Sequence, residues 1–171
     1  MPSDMRFIER GWLSSNSLLL LGPDDTVLID SGYHSHAEQT VALVRHALNG
    51  RTLTTLFNTH LHSDHCGGNA QLAQRHPDAL IWVPEPYAPA VQAWDADALS
   101  HQPTGQQCEA FQMDRVLVPG AEFQFGQRKW QILHAPGHDD LAVMLFCPED
   151  SILISGDALR GNGFGVVFPA I

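Results

Sequence analysis

The segment Thr59-His60-Leu61-His62-Ser63-Asp64-His65 constrains this chain more than any other stretch, because three of its ten histidines and an aspartate fall within six residues. His60 and His62 alternate as on an extended segment, so their rings can converge on one ion only if the chain curls there. Asp64 and His65 point elsewhere and can serve a second ion. Imidazole and carboxylate without thiolate suit zinc, and also iron or manganese. The bland alternative is a polar loop whose histidines cluster by accident. Four ligand-type side chains crowded at the end of a predicted strand argue against it.

The bulk of the chain suits a folded host for such a site. Its 171 residues, 44% hydrophobic and 16% charged, read as one globular domain with a sizeable core. A formal charge of −10, with Lys129 as the only lysine, repels phosphate backbones and anionic lipid surfaces. Nucleic-acid and membrane partners are therefore not expected. The apolar run Leu141 to Cys147 is far too short to span a bilayer. Asp4 and Glu9 stand where a secretory signal would be basic. Cys66, Cys108 and Cys147 are widely spaced and form no Cys-x-x-Cys pair, which argues against a disulfide framework and fits a cytoplasmic protein.

Periodicity and turn chemistry predict a mixed sheet with helices on its outer faces. Leu18 to Leu21 and Thr26 to Asp30 read as strands joined by Gly22-Pro23-Asp24-Asp25. Ser35 and Glu38 have the spacing of a capping box before a helix from Ala37 to Asn49 that Gly50 stops. Leu53 to Asn58 reads as a strand, Asn69 to Arg75 as a helix and Ala79 to Val83 as a strand, with some helix around Ala90 to Leu99. Five further strands are predicted at Arg115 to Val118, Glu122 to Phe125, Trp130 to His134, Leu141 to Cys147 and Ile152 to Ser155.

Two of these strands end in ligand-type side chains: His134-Ala135-Pro136-Gly137-His138 follows one, and Ser155-Gly156-Asp157 another. With the histidine segment, these motifs resemble the metallo-β-lactamase superfamily, in the branch of hydroxyacylglutathione hydrolases and lactonases. Val27-Leu28-Ile29-Asp30-Ser31-Gly32 also resembles that family's early strand and turn. The resemblance implies an α/β fold, the αββα sandwich, with two metal ions at one edge between its sheets. It implies that His60, His62 and His138 bind the first ion, that Asp64 and His65 bind the second, and that Asp157 bridges them. Two zinc ions are the expected cofactors, with Asp64 also moving the proton of an activated water. The implied activity is hydrolysis of a small thioester, lactone or similar ester. An iron-dependent sulfur dioxygenase and a non-catalytic metal-binding fragment are the alternatives. The family supplies a last metal-site histidine and further sheet well after the Ser-Gly-Asp. Residues 1–171 are accordingly read as one domain of this type cut short at its C-terminus, with self-association expected from the exposed edge.

Other residues invite weaker readings. His34 and His36 flank a helix start, with a place at the pocket rim as the lesser alternative. His46, His76 and His101 read as surface positions, and Cys66 as a small packed residue. Gly161 to Gly165 reads as a flexible turn near the site mouth, lacking what a phosphate loop requires.

Overall fold

The computed structural model describes residues 2–11, 15–160 and 163–164. Its first strands are β1 (Met5–Ile8), β2 (Ser17–Leu21) and β3 (Thr26–Ile29). A helical and parallel-strand region follows: α1 (Ala37–Leu48), β4 (Thr55–Phe57), α2 (Ser63–Cys66), α3 (Asn69–Arg75), β5 (Leu80–Pro84), α4 (Ala88–Ala93), α5 (His101–Thr104) and β6 (Arg115–Leu117). The rest is β7 (Glu122–Phe125), β8 (Arg128–His134), β9 (Val143–Cys147), β10 (Ile152–Ile154) and the two-residue pair β11 (Leu159–Arg160) and β12 (Gly163–Phe164). No described helix is long and apolar enough to cross a membrane.

Strands β1 to β6 lie side by side in chain order, antiparallel from β1 to β3 and parallel from β3 to β6. The second sheet runs β10-β9-β8-β7 and is wholly antiparallel. Successive side chains on a strand face opposite sides, and the first sheet uses this to feed two cores. Leu19, Leu28, Leu56, Ile81 and Val83 pack with Val44, Leu48, Leu72 and Val91 of the helices. Leu20, Val27, Ile29 and Phe57, each one residue out of step, pack with Trp130, Ile132, Val143 and Leu145 of the second sheet. This double burial explains why Val27, Leu28 and Ile29 are apolar in succession and all buried. The described layers thus run helix, sheet, sheet. Among the described residues no α-helix follows β6, so the second helical layer of the expected sandwich is not found in them.

Several expectations need correction. Ser35 does not cap α1: it lies within a 3-10 turn over His34–His36, His36 is the N-cap, and no side chain caps the helix. The chain reaches α1 already helical, which leaves no extended residue where a capping serine would sit. At the other end Asn49, at φ 49°, takes the left-handed position one residue before Gly50. His101 is 4% exposed, with Nε2 2.9 Å from the Leu61 carbonyl, and is no surface residue. The helix expected over 90–99 closes early, because Trp94 turns left-handed after α4. Strand β1 has no counterpart among the predicted strands, and of the 161–165 turn only Gly163 and Phe164 fall within the described residues.

Leu28→Ala would empty a fully buried position in the middle of the first sheet. It is expected to lower stability by about 2–5 kcal/mol, read as a lower urea midpoint at unchanged m-value.

Candidate metal centre

Four strands end beside one another and carry the site. β3 delivers Asp30, β4 leads into Asn58 to His62, β8 leads towards His138, and β10 into Ser155-Gly156-Asp157. The curl that the histidine segment needs is supplied by α2, which starts immediately after His62 while His62 itself remains extended. His60 and His62 therefore precede the turn, and Asp64 and His65 ride on it. Two close approaches join the strand ends. The Val143 amide donates to the Thr59 carbonyl at 2.8 Å, tying the second sheet to the first. Gly156 has φ +50°, and a Cβ there would lie 2.6 Å from Thr59 Oγ1, so the Ser-Gly-Asp motif needs its glycine.

The ligand-type atoms form two groups that share His60. One nitrogen each from His60, His62 and His138 lie within 4.8 Å of one another, and so do the donor atoms of His60, His65 and Asp157. His62 Nδ1 and His138 Nε2 are 3.1 Å apart. Two imidazoles on one tetrahedral zinc at about 2.0–2.1 Å would be separated by about 3.3 Å. Asp157 reaches both groups, with one oxygen 3.5 Å from His65 Nε2 and the other 3.6 Å from His138 Nε2. Asp64 Oδ2 lies 3.7 Å from His65 Nε2. His60 Nε2 and His65 Nε2 are buried and have no hydrogen-bond partner. His65 Nε2 has the two carboxylates beside it, but a ring nitrogen such as His60 Nε2 is costly unless a cation takes it, so the donor set fits bound metal.

A surrounding shell orients these rings, and the sequence did not reveal its roles. Asp30, 3% exposed and at φ 59°, accepts from the Thr59 amide at 2.8 Å and the Thr59 hydroxyl at 2.7 Å. Its Oδ2 also lies 2.8 Å from His65 Nδ1. That contact makes Nδ1 a donor and turns Nε2 towards Asp157 and Asp64. Asn58 Nδ2 and the Ser31 amide donate to the His65 carbonyl at 3.0 and 2.7 Å, and Asn69 bonds the side chains of both residues. Asp139 Oδ2 faces His62 Nε2 at 3.5 Å and accepts from the buried Tyr87 hydroxyl. Only position after the glycine-histidine turn could have marked Asp139, and nothing local marks Tyr87. His34 and His36 belong to neither donor group. His134 is exposed, with Nε2 2.9 Å from the Asp140 carbonyl.

The protein groups alone set opposite charge preferences on neighbouring rings. Burial, then the imidazoles of His65, His62 and His138, hold His60 well below the usual histidine range. Burial also opposes charge on His65, but Asp30, Asp157 and Asp64 together outweigh it and push it up to about 10.

The chain matches the metallo-beta-lactamase superfamily over residues 10–169. It belongs to that superfamily. A hydroxyacylglutathione hydrolase from Synechococcus sp. (strain JA-3-3Ab) is 30% identical over 175 residues, covering 96% of this chain and 57% of its own length. One from Rippkaea orientalis is 32% identical over 164 residues, covering 91% and 54%. The chain thus spans little more than half the length of these curated relatives. Among solved structures, the native FEZ-1 metallo-beta-lactamase from Legionella gormanii superposes with a TM-score of 0.73 at 16% identity, covering 96% of this chain and 64% of that one. A class B3 di-zinc metallo-beta-lactamase from an Alaskan soil metagenome gives 0.68 at 21% identity, covering 84% and 54%. At such identities the likeness is one of fold: this superfamily member has the metallo-beta-lactamase fold.

Two outcomes follow for this superfamily member. Asp30→Ala is expected to weaken metal binding at His65 by about 10–100-fold, seen as earlier metal loss during graded chelator dialysis with unchanged far-ultraviolet dichroism. The second outcome concerns chelator-treated protein. His60 is depressed, so its unfolded form protonates first and stability falls as pH drops below about 6.5. His65 is raised, so its contribution is complete below about 6.5 and is lost as pH climbs to about 10. Urea midpoints should peak near pH 6.5; a flat profile from there to pH 10 would contradict the account.

Proposed function

We propose that this chain carries the metal centre of a metal-dependent hydrolase acting on a small thioester, lactone or similar ester. The observation that carries this reading is the buried, unpartnered His60 Nε2, from a histidine that belongs to both donor groups. His60, His62 and His138 would hold a first cation, and Asp64 and His65 a second, with Asp157 between them. Zinc is supported by the donor chemistry and by the di-zinc neighbour of the same fold; iron or manganese suits the same donors. The thioester class is supported by the curated relatives, which are named hydroxyacylglutathione hydrolases.

When bound, a pair of divalent ions lowers the pKa of a water towards ~7 and polarises a carbonyl oxygen. The remaining work falls to side chains. Asp30 fixes the His65 tautomer, and Asp139 faces His62 Nε2, so that Nδ1 is the nitrogen presented beside His138. Asp64 would accept and pass on a proton. Asp30, Asp64, Asp139 and Asp157 put four carboxylates at the centre, so two divalent ions held there would be balanced in charge. The three cysteines, all free thiols, fit a reducing, cytoplasmic setting.

The same proposal takes 1–171 as one domain that associates with a second copy of itself. An apolar cleft of about 580 Å³, lined by Met5, Phe7, Leu18, Ile152 and Ile154, lies along the edges of β1 and β10 and reaches His65 and Asp157. Phe7 and Leu153 beside it are 52% and 42% exposed. Self-association in gel filtration is the expected outcome, and a monodisperse monomer would count against it.

Metal counting of the purified chain, followed by thioester and lactone panels, tests the activity. Two zinc equivalents with turnover of at least one ester are expected. One iron with oxygen uptake, or bound metal with no hydrolysis, would overturn the reading. His62→Ala should lose the first cation and reduce hydrolysis to background, so unchanged stoichiometry would refute the ligand set.

A further inference from the structure

The structure assembles a second donor cluster that the sequence spacing conceals. Cys66 lies on α2, immediately after His65, and its side chain turns into the helical core. Cys108 comes from the segment after α5, and its Sγ lies 3.7 Å from Cys66 Sγ. A ring nitrogen of His101, from the start of α5, completes a group whose three donor atoms lie within 4.8 Å of one another. Cys66 is fully buried, His101 is 4% exposed, and Cys108 is half-buried.

We propose that Cys66, His101 and Cys108 form a separate, sulfur-rich metal site that takes a zinc-type cation on the helical side of the histidine cluster. The geometry matches the chemistry. Two thiolates held at about 2.3 Å by one tetrahedral ion lie about 3.8 Å apart, close to the observed separation. Two sulfurs and one imidazole select zinc and softer ions and reject magnesium and calcium. Binding displaces both thiol protons to solvent, so a divalent cation and two thiolates leave the buried site neutral. Access is also provided: Cys108 and His101 line a shallow surface pocket with Trp94, Gln102 and Gln106, which leaves a fourth position for water. The site would fasten α2, which carries Asp64 and His65, to the segment behind it. That connection already exists in weaker form, since the Ser63 amide donates to Gln106 Oε1 at 2.7 Å.

This proposal is independent of the hydrolase reading, because the donors of the histidine cluster contain no sulfur. The test uses the full chain, reduced and stripped of metal under anaerobic conditions, then titrated with Co²⁺. A near-ultraviolet thiolate-to-cobalt charge-transfer band is expected for the native protein, in addition to the visible bands of the histidine cluster. Cys108→Ser, at a half-buried position outside any helix or strand, should lose at least half of the charge-transfer intensity and keep the visible bands. His101→Gln should weaken cobalt affinity at the sulfur site alone. A native protein that fills its histidine cluster with cobalt but shows no sulfur band would overturn the proposal. So would a band that survives unchanged in Cys108→Ser, since Cys108 would then not be a ligand.

Discussion

Asp30 is the residue on which the candidate centre rests. Its carboxylate is buried where β3 ends, in a backbone conformation that few non-glycine residues adopt, and it meets three hydrogen-bond donors there. Two donors come from Thr59, at the end of β4, and one from His65, on α2. A single buried charge therefore sets the register between the two central parallel strands and the turn that carries half of the donors. It also turns His65 Nε2 towards Asp157 and Asp64. Without Asp30, the Thr59 hydroxyl and amide and the His65 Nδ1 would all lose their partner together, which is why its effect should exceed that of an ordinary buried hydrogen bond.

The two-faced first sheet makes that arrangement rigid. Strands β3 and β4 are covered by helices on one side and by the second sheet on the other. Their ends can move only by disturbing both cores, and close-packed interiors resist such shifts. The second sheet adds Asp157 and approaches His138, and it is joined to the first at the site itself by the Val143 to Thr59 hydrogen bond. Donors separated by nearly a hundred positions in sequence, His60 and Asp157, thus meet because both sheets end at the same edge. The burial that holds them also sets the rings' charge preferences, depressing His60 while carboxylates raise His65.

Local pattern carried much of this. The strands of the second sheet, α1 and α3 followed from alternation and helical spacing, within a residue or two at their ends, because each buries one regular stripe of side chains. The six donor-type residues His60, His62, Asp64, His65, His138 and Asp157 were visible because their chemistry is dense in short motifs. The failures have equally physical causes. The Ser35 and Glu38 spacing suits a cap only if the residue before the helix is extended, and a 3-10 turn occupies that place. His101 read as exposed because its own neighbours are polar. Its burial depends on the Leu61 carbonyl, forty positions earlier in the chain.

The sequence alone determined which residue types stand at the ends of which strands, and with them the family. It also determined the alternation that divides the apolar residues of the first sheet between two cores, since side-chain direction along a strand is a local property of the backbone. Tertiary structure alone decided which polar groups face one another. Asp30 against His65, Tyr87 against Asp139, and Cys66 against Cys108 and His101 are pairings across chain separations that no spacing rule encodes. They exist because packing two sheets and a helical layer brings distant chain ends to one place, and buried polar atoms must then be satisfied by whatever has arrived there.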